Sequence, residues 1–217
     1  MITYYARCFA VVVLLTQPAF AGKVNGKLSS RLDFYPNHAD GTASEGRSAE
    51  VKIDAFHDFE KSRIVGELIF RGDEKDNGRR ITEARQAYFR SPFAGFDFFV
   101  GNRQEFWGKA ESKNVVDVIN QSDAAANEGK SGKLGAPSLS AERYLDIGDR
   151  QLWYISSFRE KTFNDSDAHP SSGIPGNSAQ YARKDGKDAD DFAARLSSFA
   201  GDWDLACLLY TSDAADE

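Results

Sequence analysis

The chain has 217 residues, of which 41% are hydrophobic and 28% are charged, and its formal net charge is −6. This length suits one ordinary domain, and the acidic balance gives no reason to expect a nucleic-acid partner. No apolar run approaches the roughly 20 residues of a membrane-spanning helix, so no transmembrane helix is predicted.

The first 21 residues are typical of a secretory signal peptide. Arg7 precedes an apolar run from Phe9 to Leu15, and Ala19 and Ala21 form a small-x-small cleavage site before Gly22. This order of charge, apolar run and small residues marks proteins for export. We therefore expect residues 1–21 to be removed; a buried strand or a transmembrane helix is the alternative interpretation.

The last eleven residues, 207–217, resemble the in-frame translation of a common sequencing adapter. We predict that this segment is adapter read-through rather than native sequence. The gene is then expected to continue beyond Ala206, so that the chain is an N-terminal fragment. The alternative is that Leu205 to Tyr210 is a native apolar strand.

The expected mature segment, 22–206, is mildly acidic and lacks cysteine. Setting aside Arg7, Asp213, Asp216 and Glu217 reduces the totals from 27 basic and 33 acidic residues to 26 and 30, a net charge of −4. The two cysteines, at positions 8 and 207, both lie outside it. Disulfides and cysteine-based metal sites are therefore not expected.

Alternation of apolar and polar residues predicts strands in this segment. The stretches have about the nine to twelve residues expected of a tilted membrane strand. The fourth stretch alternates less cleanly than the others. The predicted strands are 24–35, 48–59, 63–73, 82–90, 95–103, 139–146, 151–159 and 191–199, with a ninth starting at Trp203.

The predicted connections are alternately long and short along the chain. Outer-membrane barrels combine long extracellular loops with tight periplasmic turns, so the mature N-terminus is expected in the periplasm. Aromatic residues also gather near the predicted strand ends, as in the girdles of such barrels. Trp153 is expected near the short-turn end.

The two faces of the predicted strands differ in polarity. One face is aliphatic and aromatic. The other carries Lys27, Arg31, Asp33, Glu50, Lys52, Asp54, Glu67, Arg71, Arg85, Arg103 and Arg195. A Lys or Arg facing the bilayer midplane costs about 2–4 kcal/mol, so the charged face must line a wet interior. We predict an all-β fold, an incomplete transmembrane antiparallel up-and-down β-barrel; a soluble β-sandwich is the alternative.

The segment from Val100 to Asp123 resembles an uncharacterised family of proteobacterial porin-like outer-membrane proteins. The family pattern is Gly-Arg-Gln at a strand end, then Trp-Gly, then Asp-Val-Ile-Asn-x-x-Asp; here Trp107-Gly108 and Asp117-Val118-Ile119-Asn120 match it. Asn102 is inserted between Gly101 and Arg103, a departure from the pattern. Further similar pieces lie at 133–137, 154–163 and 194–205. The resemblance implies a large single-chain barrel with a channel or uptake role and no catalytic residues.

Residues 104–123 are expected to fold into the barrel as a constriction or plug; an ordinary packed surface loop is the alternative. The candidate pore-lining residues are Arg85, Arg103, Glu105, Trp107, Lys109, Glu111, Asp117, Asn120 and Asp123.

No catalytic, cofactor or metal site is predicted. Gly129-Lys130-Ser131 lacks the earlier glycine of a phosphate-binding loop, and the three histidines have no zinc-ligand spacing. The aspartates at 185–191 lack calcium-loop spacing. The expected function is passage of an unidentified small solute across the bacterial outer membrane, with membrane lipid and lipopolysaccharide as partners. The alternatives are a secreted or periplasmic carbohydrate-binding β-sandwich, and an outer-membrane enzyme whose active site lies beyond Ala206.

Overall fold

A computed structural model describes residues 11–13, 22–35, 44–107, 116–126, 132–163, 181, 184, 186–200 and 203–211. Within these ranges the regular secondary structure is almost entirely β-strand, with three short 3-10 helices at Asn77–Arg79, Ala124–Ala126 and Gly186–Asp188. No helix in the described ranges is both long and apolar enough to cross a membrane.

The strands form one antiparallel sheet in which each strand pairs with its neighbours in sequence, from β1 to β10. The ten strands are β1 (Val11–Val13), β2 (Gly22–Tyr35), β3 (Ser44–Asp58), β4 (Arg63–Asp73), β5 (Ile81–Phe93), β6 (Phe96–Arg103), β7 (Ala136–Leu145), β8 (Gly148–Ile155), β9 (Asp191–Ala200) and β10 (Trp203–Tyr210). Nine of them, β2 to β10, follow residue 21. The all-β, up-and-down arrangement is therefore confirmed, while closure into a barrel is not seen, because β1 and β10 are the edges of the sheet.

The connections alternate in length as predicted. Residues 59–62, 94–95, 146–147 and 201–202 link strands at one end of the sheet, and 36–43, 74–80, 104–135 and 156–190 link them at the other. The two-residue turn between β5 and β6 has positive φ at both central residues, Ala94 (52°) and Gly95 (80°). Two such residues match the twist of a two-residue hairpin. We call the two ends the short-turn end and the long-connection end.

The two edge strands of the sheet, β1 and β10, include residues that were predicted to lie outside the mature protein. Val11–Val13, inside the predicted signal peptide, pairs with Gly26–Leu28 of β2. At the other edge β10 continues through Cys207 to Tyr210, pairing with Ala193–Leu196 of β9. Edge strands present unpaired backbone groups to any extended segment, so this pairing does not depend on the origin of the segment.

The two faces of the sheet have opposite character. Side chains such as Leu28, Val100, Leu139 and Phe192 project from one face, each with about half of its surface exposed at 45%, 52%, 48% and 57%. The opposite face holds buried charged and polar side chains, among them Glu67, Arg71, Arg85, Ser140, Glu142 and Gln151. We call these the apolar face and the polar face. This is the reverse of the usual arrangement in water, where apolar side chains are buried and charges are exposed.

The irregular alternation of the fourth predicted strand has a structural cause. The register between β4 and β5 shifts where Glu67 pairs with Gln86 and Leu68 pairs with Ala84, which leaves Arg85 as an extra residue in β5. Such a β-bulge interrupts the strict alternation of faces. Arg85 is buried on the polar face, as its place in the predicted alternation indicated, with a side chain that is only 1% exposed.

The predicted position of Trp153 is wrong. Strand β8 begins at Gly148, three residues before its predicted start at Gln151, so Trp153 lies in the half nearer the long-connection end. It shares the polar face with Gln151 and is 2% exposed. By contrast, Phe93, Phe199 and Trp203 are exposed near the short-turn end, in agreement with the predicted gathering of aromatic residues at strand ends.

Candidate functional site

The described parts of the connection between β6 and β7 lie against the polar face of the sheet. Trp107, in this connection, is fully buried, and its indole Nε1 donates a hydrogen bond of 2.6 Å to Oε1 of Gln151 in β8. The Trp107 backbone N–H also donates to Oδ1 of Asp117 at 3.1 Å. The described parts of residues 104–135, which we call the inserted segment, are therefore fastened to the strands beneath them.

A small apolar cluster joins the inserted segment to the sheet. Two of its members come from the segment and four from strands β7, β8 and β9. They are Trp107 and Ile119, with Ala136, Trp153, Ile155 and Ala193. Burying such side chains contributes roughly 25 cal/mol for each Å² of apolar surface removed from water, so the cluster stabilises the segment on an otherwise polar face.

Asn120 holds the two ends of the inserted segment together. Its amide nitrogen donates to the carbonyl oxygens of Arg103 at 2.8 Å and Leu134 at 3.0 Å. Its amide oxygen accepts the backbone N–H of Glu105 at 2.6 Å. Asn120 thus links the end of strand β6 to the chain that returns to β7. Its buried amide group both donates and accepts, so it can satisfy three backbone groups at once.

A glycine allows the returning chain to pass close to the bulge. A Cβ atom at Gly135 would overlap the backbone carbonyl of Arg85. The carbonyl oxygen of Gly135 also accepts a hydrogen bond of 3.2 Å from Nη1 of Arg159.

Arg103 is the centre of one charged cluster at the end of β6. Its guanidinium contacts Oε2 of Glu105 at 2.8 Å and Oε1 of Glu142 at 2.5 Å. The same group stacks over the Phe99 ring, with 3.7 Å from Cζ to the centroid, and lies 4.8 Å from the Trp153 ring. Two carboxylates and two aromatic rings therefore hold Arg103 in one orientation.

Asp123 is the centre of a second charged cluster. Its Oδ2 lies 2.6 Å from Nη2 of Arg85 and 3.3 Å from Nη1 of Arg71, and all three side chains are at most 4% exposed. Its Oδ1 accepts a hydrogen bond of 2.6 Å from the Thr162 hydroxyl. A carboxylate from the inserted segment is thus held by arginines from β4 and β5 and by a residue of the connection after β8.

Further ion pairs extend this cluster across neighbouring strands. Nε of Arg71 contacts Oε2 of Glu50 at 2.8 Å, and the two residues are paired directly in the β3–β4 register. Glu83 lies 3.8 Å from Nε of Arg85 and also pairs with Arg159. On the same face Lys52 contacts Glu67 at 2.7 Å. The charged side chains therefore compensate one another as a salt-bridged wall.

Burial affects two ionisable groups of the inserted segment. Burial raises the pKa of the Glu105 carboxyl, an effect that Arg103 opposes and Glu142 reinforces. Burial lowers the pKa of the Lys133 ammonium, despite its ion pair with Asp117. The Lys133 ammonium also donates to the backbone carbonyl of Glu105 at 2.8 Å and lies 4.5 Å from the Phe106 ring.

Seven of the nine predicted pore-lining residues belong to these contacts. Lys109 and Glu111 lie outside the described residues. Arg103, Glu105, Trp107, Asp117 and Asn120 form connected interactions around the ends of the inserted segment, and Arg85 and Asp123 meet in the second cluster. The sequence-based prediction of the site missed Arg71, Lys133, Glu142, Gln151, Arg159 and Thr162.

Strand alternation identifies two of the six missed residues. Glu142 and Gln151 occupy alternate positions of β7 and β8 with other polar-face residues, so strand alternation could have revealed them. Arg159 and Thr162 follow the end of β8 at Ile155; the sequence singled out only the surrounding stretch, 154–163, and strand alternation does not assign these two residues.

Within the described ranges, no group of three or more His, Cys, Asp or Glu side chains is arranged to hold a metal ion. Comparisons with protein-family models, curated proteins and solved structures found no match to this chain. The function is therefore inferred from the geometry of the sheet and of the inserted segment.

Proposed function

We propose that this chain is the N-terminal part of a porin-like channel of the bacterial outer membrane, through which small solutes pass passively or by facilitated diffusion. The observation that carries the proposal is the inversion of the two sheet faces. Large apolar side chains are exposed on one face while arginines and glutamates are buried on the other.

The apolar face is continuous across neighbouring strands. Val100, Leu139, Tyr154 and Phe192 are successive partners in the registers of β6 to β9 and form a row along this face. In water such a row would be an aggregation hazard. In a bilayer this row would contact hydrocarbon. A sheet in hydrocarbon must pair all its backbone N–H and C=O groups, which it does by closing into a barrel. The strands that complete the barrel would be encoded beyond the chain described here.

The connection lengths support an orientation for the channel. In outer-membrane barrels the tight turns face the periplasm and the long loops face outward. The predicted signal peptide at 1–21 fits export to this membrane. Lipid would contact the apolar face, and lipopolysaccharide would surround the outer end.

The inserted segment supports a role as a constriction. It leaves the sheet at the long-connection end and packs onto the polar face through Trp107, Asn120 and Asp123. A segment inside a barrel narrows the passage and brings its charged groups near passing solutes. Arg103 and Glu105 would lie beside this passage.

The test uses the native protein encoded by the uninterrupted gene. We expect it to require detergent for extraction and to migrate faster on a gel before heating than after. Reconstituted liposomes should swell in small neutral sugars, and the swelling rate should fall as sugar size increases. Recovery of the intact protein from periplasmic extract without detergent would contradict the proposal and favour a soluble carbohydrate-binding protein.

A further inference from the structure

Arg71, Arg85 and Thr162 surround a carboxylate completely enough to define a binding site. Each oxygen of the Asp123 carboxylate has its own partners: Oδ2 lies within 2.6 Å of Arg85 and 3.3 Å of Arg71, and Oδ1 accepts the Thr162 hydroxyl at 2.6 Å. Guanidinium groups suit carboxylates in charge and in planar shape. The geometry therefore specifies the chemical class of the group that is bound.

Among the described residues, the ion pairs named around the site match a single negative charge. Three arginines, at positions 71, 85 and 159, face two glutamates, at positions 50 and 83. These five named side chains carry one net positive charge, which the Asp123 carboxylate neutralises. A monocarboxylate would give the same balance, whereas a dianionic phosphate would leave an excess negative charge in a buried place, which is costly.

The sheet supplies the two arginines, while the inserted segment supplies the carboxylate. Arg71 is held by its direct partner Glu50 in β3, and Arg85 is the extra residue at the β-bulge in β5, on the polar face. The arginine pair therefore owes its placement to the strands. Such preorganisation lowers the cost of accepting another carboxylate in place of Asp123.

We propose that Arg71, Arg85 and Thr162 form a monocarboxylate-binding site on the channel wall, and that a carboxylate solute competes with Asp123 for it. This proposal rests on the channel function and names the class of solute. The site favours acetate-like anions over neutral solutes of equal size because an anion replaces the negative charge that Asp123 presents to both arginines.

The first test replaces Asp123 in the full native protein and measures the unfolding midpoint from heat-modified gel migration. The solutions contain sodium acetate, its neutral analogue acetamide, sodium phosphate or sodium chloride at matched ionic strength. In Asp123→Ala we expect acetate to raise the midpoint by about a few degrees through binding to the folded state. Acetamide and chloride should not raise it.

Two further variants make this result specific. Asp123→Asn fills the same volume without the charge, so acetate should leave its midpoint unchanged. Adding Arg85→Gln to Asp123→Ala should abolish the acetate effect. Equal midpoints in acetate and chloride would overturn the proposal, as would an equal response of Asp123→Ala and Asp123→Asn. A larger effect of phosphate than of acetate would also overturn it.

The second test uses the unmodified protein and therefore does not depend on the folding of any variant. In reconstituted liposomes, acetate flux should saturate with concentration, whereas acetamide flux should rise linearly. Linear flux for both solutes would overturn the carboxylate site while leaving the channel function intact. If neither solute passes, the channel proposal fails, and the melting series still decides whether the carboxylate site exists.

Discussion

The indole nitrogen of Trp107 donates a 2.6 Å hydrogen bond to the side-chain oxygen of Gln151. These residues are 44 positions apart, and the bond joins the inserted segment to strand β8 across the polar face. Because both groups are buried, neither can form a hydrogen bond to water instead. Breaking this bond is therefore costly, and the bond holds the inserted segment on the sheet.

Replacing Trp107 by Phe should lower the unfolding free energy, because it removes this hydrogen bond. The variant keeps an aromatic ring but removes the donor and leaves Gln151 with an unsatisfied buried oxygen, which costs about 1–3 kcal/mol of unfolding free energy. The free energy is measured by urea titration of the protein in lipid vesicles. Trp203→Phe is the control, since Trp203 is 73% exposed, and its effect should stay within about 0.5 kcal/mol.

Neighbouring residues at the middle of β2 test which face meets lipid. Leu28 lies on the apolar face, and Ser29 lies on the polar face opposite Glu50. Leu28→Lys should lower the unfolding free energy by about 2–4 kcal/mol, the cost of a lysine near the bilayer midplane. Ser29→Lys should have little effect because its ammonium can approach Glu50. Equal effects in the two variants would contradict a lipid-facing apolar side.

Removing the Arg103 side chain should make the channel more selective for cations. Its guanidinium pairs with Glu105 and Glu142, and Arg103→Ala leaves both carboxylates without this positive partner. Reversal potentials across a salt gradient measure the change. Arg103→Lys keeps the charge and should shift selectivity less. Arg143→Ala, which removes a charge on the apolar face beside the Phe96 ring, should leave selectivity close to the wild type. Unchanged selectivity in Arg103→Ala would exclude a pore-lining role.

Acidification should reduce cation selectivity at a pH above the pKa of an ordinary glutamate. Burial raises the pKa of Glu105 above its usual 4.5. As the pH falls through this raised pKa, Glu105 takes up a proton and the wall loses one negative charge. The charged groups that act on Glu105 are Arg103, Lys133, Glu142 and Arg195.

The measurement is a pH series of reversal potentials on the wild type and on Glu105→Gln, which is neutral at every pH. We expect the shift above pH 4.5 to disappear in Glu105→Gln. A wild-type transition confined to lower pH, or one that persists in Glu105→Gln, would show that other carboxyls control it.

The amino-acid sequence by itself determined the strands, their two faces and the order of long and short connections. These are local properties, because alternation with a period of two assigns each side chain to one face. Glu50, Glu67 and Arg71 thus lie on the predicted face. The pattern around Trp107 and Asn120 also identified a segment with special contacts.

Only the tertiary structure decided which charged groups meet. Arg71 and Asp123 are 52 positions apart, and their contact depends on strand register and on the path of the inserted segment. The bulge at Arg85 and the burial of Trp153 depend equally on neighbouring strands. Alternation fixes the side to which a residue points, but pairing between strands and connections sets its partner, and that information is not local.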